Sequence, residues 1–248
     1  MKFTSRIITN QTSDLSSADF SEGEIILIDK PSGPTSFQVV SKVRKITGVK
    51  KVGHSGTLDP LASGLMIICT GKKTKVVDNF IDMSKTYSGI IRLGLKSPSM
   101  DLETETTEYS LPGDLDEEKI LSVRNKFLGE IEQIPPMYSA VKIDGKKLYK
   151  LARKGKTIER KPRKVFIEKF KINKIDLPKI HFEIVCSKGT YIRVIADDFG
   201  NELGCGGILA NLRRTAIGEF KVNDAVNLNE FATDFARFVA SSNPGLQQ

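Results

Sequence analysis

The segment Gly53-His54-Ser55-Gly56-Thr57-Leu58-Asp59-Pro60 constrains this chain more than any other, because it runs directly into the apolar stretch Leu65-Met66-Ile67-Ile68-Cys69. Two glycines and a proline interrupt any regular element through the motif. A short apolar run bounded by turn residues is the pattern of a strand buried on both faces. The chain must therefore form a tight loop at the mouth of a buried strand. Asp59 precedes Pro60, and a residue before proline is pushed out of the α region. The expectation is a stiff, extended loop that presents the Asp59 carboxylate to a cleft. Such a group is costly to desolvate unless something pairs with it or uses it, so it is a candidate acid, base or nucleophile.

At 248 residues the chain is one large domain or two small ones, with ample length for a core. A hydrophobic content of 39% with 27% charged residues reads as soluble and globular. No apolar run is long enough for a membrane span, which needs about 18 residues. Residues 1–22 are rich in Ser, Thr and Asp and lack an apolar core, so they read as a disordered extension rather than a secretory signal. Residues 23–248 are expected to form the folded domain, ending in a short C-terminal helix. The three cysteines, Cys69, Cys186 and Cys205, are odd in number and far apart, which argues for a reducing compartment and against a disulfide framework or zinc site. Two histidines, His54 and His181, exclude a His-rich metal centre.

The formal charge of +8 is uneven. Lys142–Lys174 holds 14 Lys/Arg against three acids, a local +11, which leaves the rest of the chain at −3. One basic segment on a slightly acidic body is the footprint of a polyanion-binding face. Charge alone fits a solvated basic surface equally well.

Glu24–Lys30 reads as a buried strand that ends at the breaker cluster Pro31-Ser32-Gly33-Pro34. Thr35 or Ser36 can cap a helix to about Ile46, with Phe37, Val40 and Val43-Arg44 at helical spacing and Gly48 as its stop. Further elements are a helix near residues 75–83, a strand over 86–95, a helix capped by Asp114 or Asp116, and a short basic helix over 147–154. An alternating strand over 163–176, a strand over 181–186, a helix over 191–203, a strand over 215–222 and a final helix over 228–240 complete the chain. Strands outnumber helices and no βαβα order appears. The predicted class is α+β on a mixed, mainly antiparallel central sheet with flanking helices.

Several chemistries are absent. Gly71-Lys72-Lys73-Thr74 hints at a phosphate loop, but six residues rather than four separate it from Gly64. No dinucleotide fingerprint follows the first strand, and no CxxC, HExxH or GxSxG occurs. What remains is a constellation: Asp59, Tyr87 at a strand start, Ser187–Arg193 entering a helix, and the pair Arg213-Arg214. An arginine paired with a buried aspartate keeps it ionised, as a nucleophilic carboxylate requires. An aromatic stacked on a base serves an enzyme that acts on an extruded nucleotide. Taken singly, Tyr87 and Tyr191 read as core tyrosines, Arg213-Arg214 as a surface pair and His54 as a loop residue.

Together these segments resemble the TruB family of tRNA pseudouridine synthases. Lys30-Pro31-Ser32-Gly33-Pro34-Thr35-Ser36 is similar to the family's first motif and Gly53 to Gly64 to its catalytic motif. Pro135 to Lys142, with Gly145, Tyr149 and Ala152-Arg153, resembles its third block. Cys186 to Arg193, with Asp197, Gly200 and Leu212-Arg213-Arg214, resembles its last. The likeness runs in order from Glu24 to Phe220. It implies the pseudouridine synthase fold and isomerisation of uridine 55 in the T-loop of tRNA, by base flipping, glycosidic cleavage, base rotation and C5–C1′ bond formation. It implies Asp59 as the catalytic aspartate, Tyr87 as the tyrosine that stacks on the uracil and accepts a proton at C5, and Arg193 as the aspartate's partner. Tyr191 and Leu212 align with the uracil pocket, His54 with the histidine that meets the T-loop, and Lys30 and Pro31 with the loop's support. Lys142 and Arg153 belong to the tRNA-binding set. No cofactor, no metal, no membrane and no guide RNA are implied, and a monomeric, cytoplasmic enzyme is expected.

Three departures stand out. Lys73 takes the place of an alanine in Gly71-Lys72-Lys73-Thr74-Lys75, and Pro98 replaces an acid in Ser97-Pro98-Ser99-Met100-Asp101. About 28 residues follow Phe220, too few for the PUA barrel of many relatives, so the Lys142–Lys174 segment is expected to carry more of the tRNA grip. Two other readings are a guide-RNA-dependent relative and a catalytically silent RNA-binding protein or tRNA-folding chaperone.

Overall fold

The computed structural model describes residues 6–143 and 145–242. In chain order the strands are β1 (Ile7–Ile8), β2 (Ile25–Lys30), β3 (Val52–His54), β4 (Ser63–Thr70), β5 (Lys85–Leu93), β6 (Leu95–Lys96), β7 (Thr107–Glu108) and β8 (Gly129–Gln133). They continue as β9 (Lys142–Ile143), β10 (Lys146–Lys147), β11 (Arg163–Asp176), β12 (Lys179–Cys186), β13 (Gly207–Ile217), β14 (Phe220–Lys221) and β15 (Val226–Asn227). The helices are α1 (Ser36–Thr47), α2 (Val77–Asp82), α3 (Glu117–Asn125), α4 (Leu148–Ala152), α5 (Ile192–Glu202) and α6 (Leu228–Ser242). Two compact units divide them. The first holds the residues up to Lys85 and those from Arg213 onward, and the second holds Thr86–Leu212.

In the first unit β2 lies between β1 and β4, and the last part of β13 lies on the far side of β4. β2 and β3 are antiparallel to β4, whereas β1 and β15 are parallel to β2 and β13 is parallel to β4. This is the predicted mixed sheet. One face of β2 and β4 contributes Ile25, Leu27, Leu65, Ile67 and Cys69 to a core closed by Phe80 of α2 with Ile217 and Phe220. Ile26, Ile28, Met66 and Ile68 on the opposite face are equally buried, with α6 against β2 and α1 against α6. Burial on both faces explains why these strands read as unbroken apolar runs.

α1 begins and ends as its residues require. Thr35 and Gln38 form a reciprocal capping box. Gly48 adopts φ 69° at the C-cap, a left-handed conformation that glycine enters without steric cost. Residues 6–22 correct the expectation of a disordered extension. Ile7–Ile8 forms β1, Leu15 and Phe20 are buried, and Phe20 meets the rings of Phe231 and Phe235 edge-on. These apolar residues are too widely spaced to show a period, so only the tertiary fold gives them partners.

In the second unit the order is β5-β12-β11-β8. β11 is antiparallel to both β12 and β8. Its predicted alternation holds, with Val165, Ile167 and Phe170 buried, although the register slips between Ile167 and Lys169 and again between Ile172 and Lys174. Phe170 packs among Phe127, Phe182 and Phe199. A fully buried aromatic side chain contributes about 1.5–3 kcal/mol each, so this cluster fixes α5 and the segment after α3 on the strands.

Three elements differ from the sequence expectation. The helix expected over 75–83 opens with a 3₁₀ stretch, Gly71–Val76. The strand expected over 86–95 breaks at Gly94, which has φ 77°. The strand expected over 215–222 begins at Gly207 and turns at Gly218 before β14. Gly200 and Gly207 allow this early start: a Cβ on Gly200 would lie 2.0 Å from the Gly207 nitrogen.

Candidate active site

The nine residues singled out by sequence fall on both units. Lys30, His54 and Asp59 lie in the first; Tyr87, Lys142, Arg153, Tyr191, Arg193 and Leu212 lie in the second.

In the first unit β3 pairs with β4 as far as His54–Ile68. Buried Ser55 prolongs the ladder by donating its N–H to the Ile67 carbonyl and accepting from the Ile67 N–H on its hydroxyl. The chain then leaves the sheet as the loop 56–62 and re-enters at Ser63. This loop is the stiff one that the sequence predicts. The Ser36 hydroxyl accepts from Leu58 N–H at 2.8 Å and donates to the Leu58 carbonyl at 2.9 Å. Gly33 N–H donates to the Pro60 carbonyl and the Ser32 hydroxyl to the Leu61 carbonyl. The Ala62 N–H closes a turn on the Asp59 carbonyl at 3.1 Å.

Lys30 sits under this loop with no exposed surface. Its ammonium donates to the carbonyls of Pro31 at 2.9 Å, Pro60 at 3.2 Å and Ala62 at 2.6 Å. Burial pushes its pKa down to about 8; the Asp59 carboxylate acts the other way and the Arg214 charge adds to the fall. Asp59 is half-buried.

Arg214 corrects its reading as a surface residue. It is 1% exposed, donates Nε to the Leu65 carbonyl at 2.7 Å and reaches the Gly56 carbonyl at 3.2 Å. Gly64, with φ 107°, lets the Arg214 backbone come this close; a Cβ there would lie 2.3 Å from the Arg214 carbonyl oxygen. Arg213 instead crosses to Asp29 with both Nη atoms, at 3.0 and 2.6 Å. Arg214 thus ties the first residue of the loop to the start of β4, and Arg213 forks onto the end of β2. His54 is kept below the ordinary histidine pKa by burial, with the Arg214 charge in the same direction. Its Nδ1 accepts from Gly56 N–H, which assigns the neutral tautomer with Nε2–H facing outward from that bond. Cys69 is no nucleophile, since burial pushes its thiol up to about 12.

In the second unit Tyr87 is buried on the inner face of β5. Leu212 is buried near the end of that unit's share of β13. Tyr191 and Arg193 are brought together at the start of α5, with the guanidinium 5.9 Å from the ring centre. Arg193 is 3% exposed and donates to the Tyr138 carbonyl at 2.7 Å. Gln133 is a residue the sequence analysis missed. Its buried side chain accepts from Tyr191 N–H at 3.0 Å and donates to the Tyr191 carbonyl at 3.2 Å. A single glutamine at a strand end has no signature; only the fold places it against Tyr191. Gln133→Leu is expected to orphan the Tyr191 N–H, while the Tyr191 carbonyl keeps the N–H groups of Val194 and Ile195, and to lower kcat/KM by about 10-fold through loss of about 1–3 kcal/mol at the tyrosine, measured on the same substrate as the parent enzyme.

Arg153 does not join this group. Lys142 pairs its backbone with Lys147 in the β9–β10 hairpin, and its side chain lies outside the described residues. Arg153 is exposed, ion-paired to Glu103 at 3.3 Å and set 5.7 Å from the Tyr149 ring centre. With Lys146, Lys150 and Lys154 it lines an open basic hollow of about 890 Å³. Among the described residues no cluster of His, Cys, Asp and Glu is arranged to hold a metal ion, and no helix is long and apolar enough to cross a membrane.

Residues 44–192 match the model of the TruB family pseudouridylate synthase N-terminal domain, and residues 193–243 match the tRNA pseudouridylate synthase B C-terminal domain. The chain belongs to the TruB family of pseudouridylate synthases. It is 45% identical over 220 residues to tRNA pseudouridine synthase B of Flavobacterium johnsoniae, covering 86% of this chain and 96% of that one. Identity to the enzyme of the same name from Chloroherpeton thalassium is 48% over 214 residues, covering 84% and 89%. Among solved structures it resembles a chain of a Cbf5-Nop10-Gar1 complex at TM-score 0.69 and 30% identity, over 92% of this chain and 58% of that chain. An H/ACA RNP bound to a substrate RNA containing 2′-deoxyuridine gives TM-score 0.66 at 26% identity, over 92% and 57%. The chain therefore spans less than two thirds of either structural neighbour. As a TruB-family member it is a pseudouridine synthase.

Proposed function

We propose that this enzyme converts uridine to pseudouridine at position 55 in the T-loop of tRNA. The observation that carries this reading is the 45–48% identity, over 84–86% of the chain, to enzymes named tRNA pseudouridine synthase B. Identity to the H/ACA-type chains is lower, at 26–30%, which favours a guide-free enzyme that recognises the T-stem-loop itself. A monomer acting in the cytoplasm completes the proposal, and the three buried free thiols suit a reducing compartment.

The uridine leaves its stack at a cost of a few kcal/mol. Asp59 adds as nucleophile, the N1–C1′ bond breaks, the base turns, C5 bonds to C1′, and the bond to Asp59 breaks again to return the free carboxylate. The C5 proton passes to Tyr87 and N1 gains a proton, so no atom or electron is left over and the reaction calls for no cofactor. In this reading Arg193 supplies the charge that keeps the aspartate ionised, Tyr191 and Leu212 line the uracil pocket, and His54 meets the RNA as a neutral donor. Lys30 supports the loop from beneath. Lys142 and Arg153 bind phosphates as part of the basic segment.

The test is conversion of an unmodified tRNA transcript, mapped for pseudouridine without any added guide RNA. Conversion at position 55 supports the proposal; binding without conversion points to a chaperone. Binding should also depend steeply on salt. Changing Lys150, Arg153 and Lys154 to Ala should flatten the slope of log K against log salt by about 2–3, since each phosphate contact contributes about 0.7–0.9. An unchanged slope overturns the assignment of this segment to RNA binding.

A further inference from the structure

Phe37 is 68% exposed, more than any other large apolar side chain among the described residues, and Leu61 nearby in the motif loops is 43% exposed. Single exposed apolar residues are ordinary on a protein surface, but Phe37 is held in an unusual place. It follows Ser36, whose hydroxyl both donates to and accepts from Leu58, the residue before Asp59. Summing that hydrogen bond with covalent spans places the Phe37 Cα at most about 14 Å from the Asp59 Cα. The turn before α1 is pinned to the same loop by Ser32 and Gly33.

Helical side chains lean toward the helix N-terminus. A residue in the first turn has no earlier helical turn beneath it, so a side chain at Phe37 is directed toward the turn that is bonded to the Asp59 loop. The helix does not need it there. Ser36, Val39, Val40 and Val43 form its buried face, and Thr35 with Gln38 closes its end. No acidic residue lies in this first turn to repel a phosphate backbone.

We propose that Phe37 is a stacking platform for an unpaired nucleobase adjacent to the extruded uridine, with Leu61 as its apolar flank. This rests on the RNA-modifying function proposed above. Extruding one base leaves its neighbours without a stacking partner, and an exposed aromatic ring accepts any base on its face.

The test uses an unmodified tRNA transcript, with 2-aminopurine placed singly at each position flanking the target uridine. Phe37→Leu should lower kcat/KM about 10-fold and abolish the fluorescence quenching seen with the parent enzyme at one flanking position. Phe37→Tyr should stay within about two-fold on both readouts, because it keeps the ring. Both variants should melt with the parent, since the side chain is exposed. A Phe37→Leu enzyme equal to the parent overturns the stacking role, as does an equal loss in both variants. A parent enzyme that does not convert the transcript overturns the proposed function and this inference together.

Discussion

Asp59→Asn is expected to abolish pseudouridine formation, with a loss of roughly 10⁴-fold or more in kcat, while tRNA affinity stays within a few-fold of the parent. The reason is chemical. The amide has almost the same volume and keeps the turn in which the Asp59 carbonyl accepts from Ala62 N–H, but it is a poor nucleophile and carries no charge. The loop's backbone at Leu58, Pro60, Leu61 and Ala62 is held by Ser36, Gly33, Ser32 and Lys30, and the substitution leaves these backbone bonds in place. Gel-shift or filter binding beside single-turnover assay separates the two effects. A variant that still forms pseudouridine at the parental rate removes Asp59 from the mechanism, and a variant that no longer binds makes it a structural residue.

Lys30→Met should be the next most damaging change. Methionine fills much of the same volume, yet it leaves the carbonyls of Pro31, Pro60 and Ala62 without their shared donor. Pro60 retains Gly33 N–H; the other two lose a charge-assisted bond. Destabilisation of about 2–4 kcal/mol is expected, with kcat lowered about 100-fold as the loop loses its set position. The same lysine predicts a pH effect. Its pKa is lowered from 10.5 to about 8 by burial, so the ammonium dominates below pH 8 and the neutral amine above it. A neutral amine has two N–H donors for three carbonyls. Activity should therefore fall on the alkaline side with an apparent pKa near 8. Global stability should not fall with it. The unfolded chain binds the proton more tightly than the folded one between about pH 8 and 10.5, so this group's contribution to stability rises through that window. The Lys30→Met enzyme should lack the alkaline limb. A limb unchanged in that variant assigns it to another group.

Much of this arrangement was legible before folding was considered. The helix α1 could be read from Thr35, its valines and Gly48 because capping and periodicity are local properties. β11 could be read over its full length because an antiparallel strand with one wet face alternates. The motif from Gly53 to Pro60 located the stiff loop that carries Asp59 at the mouth of β4. Other features were not legible. The start of β13 lay hidden behind Gly204-Cys205-Gly206-Gly207, a cluster that locally reads as a stop. Residues 6–22 carry isolated apolar side chains that acquire meaning only against β2 and α6.

The boundary follows the range of the forces involved. Turn chemistry, capping and hydrophobic period act over a few residues, so the sequence alone determined the loop, the strand it enters and the identity of the carboxylate it carries. Hydrogen bonds between distant segments obey no local period. Tertiary structure alone decided that Arg214 passes beneath Gly56 and Leu65 rather than into solvent, and that Arg213 grips Asp29. It also decided that Gln133 clamps Tyr191 and that Phe37 stands exposed beside the Asp59 loop. In each of the hydrogen-bonded cases the partner lies far along the chain, because buried donors must find acceptors wherever the fold brings them.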